Sequence, residues 1–242
     1  MATLDTNVRD IVAEDFRAAA VFERLGIDFC CGGHRTLREA CRDRQVNPLD
    51  VLLQMSEACD RRDQTVPRFA DWPPDALIVY IVNHHHSYVR RVLPSIVAHT
   101  RKLAQTHGGK HAELKQIAGI FEDVADDLTA HMLKEEGVLF PYINTLATAI
   151  RLGEPVPRAA FGSVEKPIDM MEHEHEDAGR AMARIRELSR NYALPEGACT
   201  TYLACFRELE EFERDLHVHV HLENNVLFPK ARALAMASST VA

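Results

Sequence analysis

Glycine and proline are scarce, 11 of each in 242 residues, which excludes a fibrous or low-complexity chain. Six cysteines are too few for a disulfide scaffold. Positive charge is also in short supply. Lysine and arginine number 28 against 36 acidic residues, a formal net charge of −8, so attraction to a phosphate backbone is poor and a general nucleic-acid role is excluded. The longest purely apolar run, Ala76 to Val82, falls far short of a membrane span. Asp5, Asp10 and Glu14 stand where a signal peptide needs an apolar stretch. No segment sustains the alternation of a strand. What is present is a chain 46% hydrophobic and 26% charged, long enough to bury a sizeable core. The composition predicts a soluble, cytoplasmic protein, and its unusual feature is 13 histidines.

Residues 1–60 read as a small helical domain. Val8, Val12, Phe16, Ala19, Phe22 and Leu25 recur at helical spacing, and Gly26 is placed to stop that helix. Thr36 and Glu39 fit a capping box, and Asn47-Pro48 a second helix start. The polar stretch Arg61 to Pro67, followed by Trp72-Pro73-Pro74, reads as a linker. Beyond it four long helices are predicted: about Asp75 to Gln105, Ala112 to Ile150, Val164 to Arg190, and one from after Pro195-Glu196-Gly197 into the 230s. The expected fold is all-α, an antiparallel four-helix bundle over 75–236 behind the small N-terminal helical domain.

Each predicted bundle helix carries an apolar stripe at alternating three- and four-residue spacing, and each stripe is interrupted near its middle. The stripes run Val82, His86, Val89, Leu93, Ile96; Ile117, Phe121, Val124, Leu128, His131, Glu135, Val138, Tyr142; Val164, Ile168, Met171, His175, Ala178, Met182; and Leu209, Phe212, Leu216, His219, Glu223, Val226. A single histidine on such a stripe is ordinarily a hydrogen-bonded core residue. Six interruptions in register on four helices are another matter, because an unpaired buried carboxylate costs several kcal/mol. A cation supplies the opposite charge and consumes the lone pairs. His-x-x-x-Glu on a helix places both groups on one face.

The interruptions repeat. His131 to Pro141 and His219 to Pro229 both read H-x3-E-x2-V-L-F-P, offset by 88 residues; His86 precedes His131 by 45, and His175 precedes His219 by 44. Arg91 and Arg180 each follow the earlier histidine by five. This is a duplicated helical hairpin, with the expected metal ligands His86, His131, Glu135, His175, His219 and Glu223. Two metals bridged by carboxylates in a four-helix bundle favour iron, then manganese. His86 is preferred over His85 on the repeat spacing and on Arg91; His85 stays as the alternative. His217 and His221 fall on a polar face, and Glu136 and Glu174 are expected on solvated faces. Cys30-Cys31, in a glycine-rich loop, read either as exposed nucleophiles or soft-metal ligands, or as buried small hydrophobes.

With these residues in view, the chain resembles the bacterial iron–sulfur cluster repair di-iron proteins from end to end. Asp28-Phe29-Cys30-Cys31-Gly32-Gly33 is similar to the signature of their N-terminal domain, and the H-x3-E-x2-V-L-F-P pair to their hemerythrin-like domain. The resemblance implies two non-haem iron ions, oxygen-bridged, on the six residues above. It also implies damaged iron–sulfur proteins as partners, recovery after nitrosative or oxidative stress, and a role for Cys30 and Cys31 in iron transfer or redox. The expected function is cluster repair by iron donation. The alternative is binding, scavenging or reduction of nitric oxide, or of another diatomic ligand, at the same centre. A homodimer is left open.

Overall fold

A computed structural model of the chain describes residues 2–59, 67–156, 159 and 161–239. Most of the expected linker, Arg61 to Val66, lies outside the described residues. Among those described there is no strand, only two isolated bridges, and no helix long and apolar enough to cross a membrane. The fold is all-α: a bundle of long helices with a small N-terminal helical region. By contact the chain divides into two compact units, Met1–Ile78 with Leu146–Val156 and His217–Ala242, and Val79–Thr145 with Pro157–Leu216.

In the first unit the N-terminal region holds α1 (Val8–Glu14), α2 (Ala18–Leu25), α3 (Leu37–Arg44) and α4 (Pro48–Cys59). The single helix expected from Val8 to Leu25 is broken at Asp15, whose backbone is extended and whose carboxylate accepts from the Arg17 backbone N–H at 3.0 Å and from its guanidinium. A local side-chain acceptor thus replaces the helical ladder. Gly26 ends α2 in the left-handed conformation, φ 65°, where a side chain would be strained. Thr36 and Glu39 form the capping box at the start of α3, and Asn47 Oδ1 accepts from Leu49 N–H at α4. Val8, Ile11, Val12, Phe22, Phe29, Leu37 and Val51 are buried together as its core.

The same unit contains the last residues of α10 (Thr200–Leu222), from His217 on, followed by a π-turn (Glu223–Leu227) and α11 (Phe228–Ser239). Helix α1 packs against this π-turn. His217 donates from Nδ1 to Glu23 at 2.6 Å, and Lys230 Nζ donates to the Ala70 carbonyl at 2.7 Å.

The second unit contains α6 (Ser87–His107), which packs on α7 (Glu113–Lys134), which packs in turn on α9 (Glu165–Leu188). A π-turn (Val82–His86) joins α5 (Pro74–Ile81) to α6, and another (Glu135–Leu139) joins α7 to α8 (Phe140–Leu152). Every member of the α9 stripe from Val164 to Met182 is buried, and so is the α7 stripe down to Glu135. Beyond Glu135 the register fails. Val138 is 50% exposed, and Leu139, Phe140 and Ile143 are buried instead. The π-turn holds one residue more than an α-turn, which rotates the following face by that residue.

Candidate metal centre

Each π-turn touches the predicted ligands. His86 is the last residue of the first, Glu135 the first of the second, and Glu223 the first of the third. Pro141 and Pro229 explain two of them. A proline within a helix lacks an N–H and clashes with the carbonyl four residues back. The widened turn just before it absorbs both defects. The matching prolines of the repeat were the sequence signal for these turns, and periodicity alone passed over them.

Glu135 is fully buried, and its Oε2 lies 3.3 Å from the Nε2 of both His86 and His131. The Nε2 atoms of His131 and His175 face one another at 2.9 Å. On α10 and the turn after it, His219 Nε2 lies 3.0 Å from Glu223 Oε1, both side chains buried. Two groups of side chains each bring one ligand atom apiece to within 4.8 Å of one another. One is His86, Glu135, His219 and Glu223; the other is His131, Glu135, His175 and Glu223, and every member is buried. Both carboxylates therefore belong to both groups, and each group has two imidazoles of its own.

The outer nitrogens are held from behind. His86 Nδ1 donates to Glu136 at 2.6 Å, and His131 Nδ1 donates to Glu174 at 2.8 Å. This fixes the tautomer with the Nε2 lone pair pointing inward, the arrangement that metal-binding histidines use. Arg90 and Lys134 contact the outer sides of these two carboxylates at 2.5 Å. Partial burial pushes the Glu136 carboxyl up, but hydrogen bonds from His86 and Arg90 outweigh it and hold it below the usual carboxylate range. At Glu174 burial is likewise outweighed, by Lys134 and His131. The solvated-face expectation for Glu136 and Glu174 is thus corrected: both reach back to an imidazole.

His85 points elsewhere, its Nδ1 2.9 Å from Asp215 Oδ1. His221, expected on a polar face, is buried, and that burial lowers it to about 4. The donor set is imidazole nitrogen and carboxylate oxygen without thiolate, which fits iron, manganese or zinc and does not fit copper(I).

Cys30 is buried and Cys31 half-buried, and their sulfurs lie 3.9 Å apart, beyond disulfide distance. The Asp28 carboxylate organises their loop. Oδ1 accepts from the Cys30 N–H at 2.9 Å and Oδ2 from the Gly32 N–H at 2.9 Å. Gly33 is needed here, since a Cβ on it would sit 2.4 Å from the Phe29 carbonyl oxygen. The contact with Cys31, followed by burial, raises the Cys30 thiol well above the usual range.

Comparison with known proteins adds two domain matches. The hemerythrin HHE cation binding domain matches residues 77–231, and a domain of unknown function, DUF542, matches residues 4–59. A protein named iron-sulfur cluster repair protein YtfE from Pectobacterium atrosepticum is 34% identical over 239 residues, 96% of this chain and 98% of that protein. Proteins of the same name from Musicola paradisiaca and Edwardsiella ictaluri are 36% and 37% identical over 218 residues, 89% of this chain and 90% and 91% of theirs.

Proposed function

The chain belongs to the hemerythrin HHE cation-binding family and, along nearly its whole length, to the iron–sulfur cluster repair proteins that carry that domain, and from this premise we propose that it restores damaged iron–sulfur clusters by donating iron. The observation that carries the reading is the pair of four-residue groups sharing Glu135 and Glu223. His86, Glu135, His219 and Glu223 hold one iron ion; His131, Glu135, His175 and Glu223 hold the other. Residues 75–236 supply this centre, and residues 1–60 the cysteine module.

The chain's own residues divide the work. Glu136 and Glu174 hold the imidazoles of His86 and His131 turned inward. Glu135 and Glu223 neutralise positive charge in a buried space where it would otherwise cost several kcal/mol. A di-iron pair bound there supplies redox chemistry and a labile metal store. The cargo leaves more readily as ferrous iron, which carboxylates hold less tightly than ferric iron, and its recipients are damaged iron–sulfur proteins in the cytoplasm. The relatives' names favour repair over nitric oxide reduction. The test incubates iron-loaded protein with a cluster-damaged dehydratase. Recovery of activity above that given by an equal concentration of free ferrous iron is expected; recovery equal to the free-iron control overturns the reading.

A further inference from the structure

Two polar side chains on the third π-turn, Asn224 and Asn225, lie outside the ligand set, and the second of them reaches the cysteine loop. Asn225 lies two residues after Glu223 in the turn Glu223–Leu227. Its Nδ2 donates to the Phe29 carbonyl at 3.3 Å and to the Cys30 carbonyl at 3.2 Å. The same Nδ2 lies 3.2 Å from His221 Nδ1, which is itself 3.5 Å from the Phe29 carbonyl. The Phe29 ring meets the His221 ring edge-on at 5.6 Å and the His217 ring at 6.2 Å. One amide therefore grips two successive carbonyls of the cysteine loop, and one imidazole braces the same spot.

The geometry points to Asn225 as a positioning residue that clamps the Cys30–Cys31 loop onto the turn that begins with Glu223. Three features favour a clamp over a chance contact. First, a loop carbonyl needs only one donor, yet two consecutive carbonyls are taken by the same amide, which fixes the peptide plane between them as well as its distance. Second, the loop is rigid from its own side: Asp28 holds the Cys30 and Gly32 N–H groups, and Gly33 leaves no room to slide past Phe29. The clamp thus sets the place of a preformed loop instead of ordering a slack one. Third, the position is one where the two repeats differ. The residue that matches Asn225 at the 88-residue offset is Gly137, which has no side chain to reach with. The second repeat has an amide where the first has none, and the cysteine module meets the second. The consequence is coupling: a shift of the turn that carries Glu223 is passed to the cysteine loop through Asn225.

This rests on the proposed iron-donation role, in which the cysteines act next to the store, so the test separates the two. Full-length protein, iron-loaded or stripped with a chelator, is treated with iodoacetamide, and labelling of Cys31 is followed by mass spectrometry against the exposed Cys199 as internal reference. In Asn225→Ala the Cys31 labelling rate is expected to rise several-fold with bound iron unchanged. Its difference between loaded and stripped protein should disappear, and iron transfer to a damaged cluster should slow several-fold. Asn225→Gln, which keeps the amide, should restore part of each. Should Asn225→Ala fold poorly, Gly33→Ala displaces the loop from the opposite side without touching the turn, and the same rise in labelling with iron retained is expected. Labelling at the wild-type rate in both variants overturns the clamp. Faster labelling with unchanged iron transfer overturns its link to donation, whereas faster labelling in a protein whose wild type repairs nothing leaves the clamp standing and removes the repair reading.

Discussion

Glu135 concentrates the chemistry at the scale of single residues. One of its oxygens is equidistant from two imidazoles on different helices, and it belongs to both ligand groups. Glu135→Ala is therefore expected to lower metal affinity by more than the roughly 10–100-fold that follows loss of an outer partner, and Glu136→Gln to fall within that range. His217→Ala, which removes the bond to Glu23 and the ring contact with Phe29, should leave bound metal unchanged. Competition against a coloured chelator measures all three. His221 gives the acid limit. Its ordinary value is 6.5 and burial lowers it to about 4, so between these pH values the unfolded chain binds a proton that the folded chain refuses. Stability from this group is complete above pH 6.5 and is lost progressively as pH falls toward 4, at most about 3 kcal/mol. His221→Phe should show a shallower loss over that window in urea titrations of the metal-free protein.

The π-turn is the deciding feature at the scale of elements. Reading on from Glu135 with unbroken spacing selects Val138 and Tyr142 as core, whereas the turn selects Leu139 and Ile143. Leu139→Ala is expected to cost about 2–5 kcal/mol. Val138→Ala, on a half-exposed side chain, should stay within about 0.5 kcal/mol. Equal losses in denaturant melts would contradict the shifted register. The N-terminal break at Asp15 teaches the same lesson. Val8, Val12, Phe16 and Ala19 kept helical spacing across a point where a carboxylate hydrogen-bonded its own neighbours and ended the helix.

For the molecule as a whole, the ligand groups are a buried concentration of lone pairs and charge in a chain that already carries a net −8. Cations bound there would offset both, which would link metal to folding. With free metal at a hundred times its dissociation constant the folded state gains about 3 kcal/mol. For a chain of this length, that corresponds to a melting midpoint roughly 5–10 °C higher. Calorimetry before and after chelation checks it; identical midpoints would mean that the six side chains are satisfied without a metal.

Local pattern was enough to place the long bundle helices, the buried stripes down to the candidate ligands and the repeat that singled out the six histidines and glutamates, because a helix face is set by spacing along the chain; it ran α1 and α2 together and passed over the π-turns. The capping box at Thr36 and the stop at Gly26 were legible for the same reason: each acts on backbone within three or four residues. Spacing could not settle whether His85 or His86 turns inward, since a π-turn before Ser87 changes which neighbour faces which way. Nor could it show that Glu136 and Glu174 reach an imidazole on another helix, that Cys30 is buried, or that Asn225 grips a loop nearly two hundred residues earlier in the chain. Those outcomes depend on which surfaces meet after folding, and hydrogen bonds between residues so far apart leave no period in the sequence.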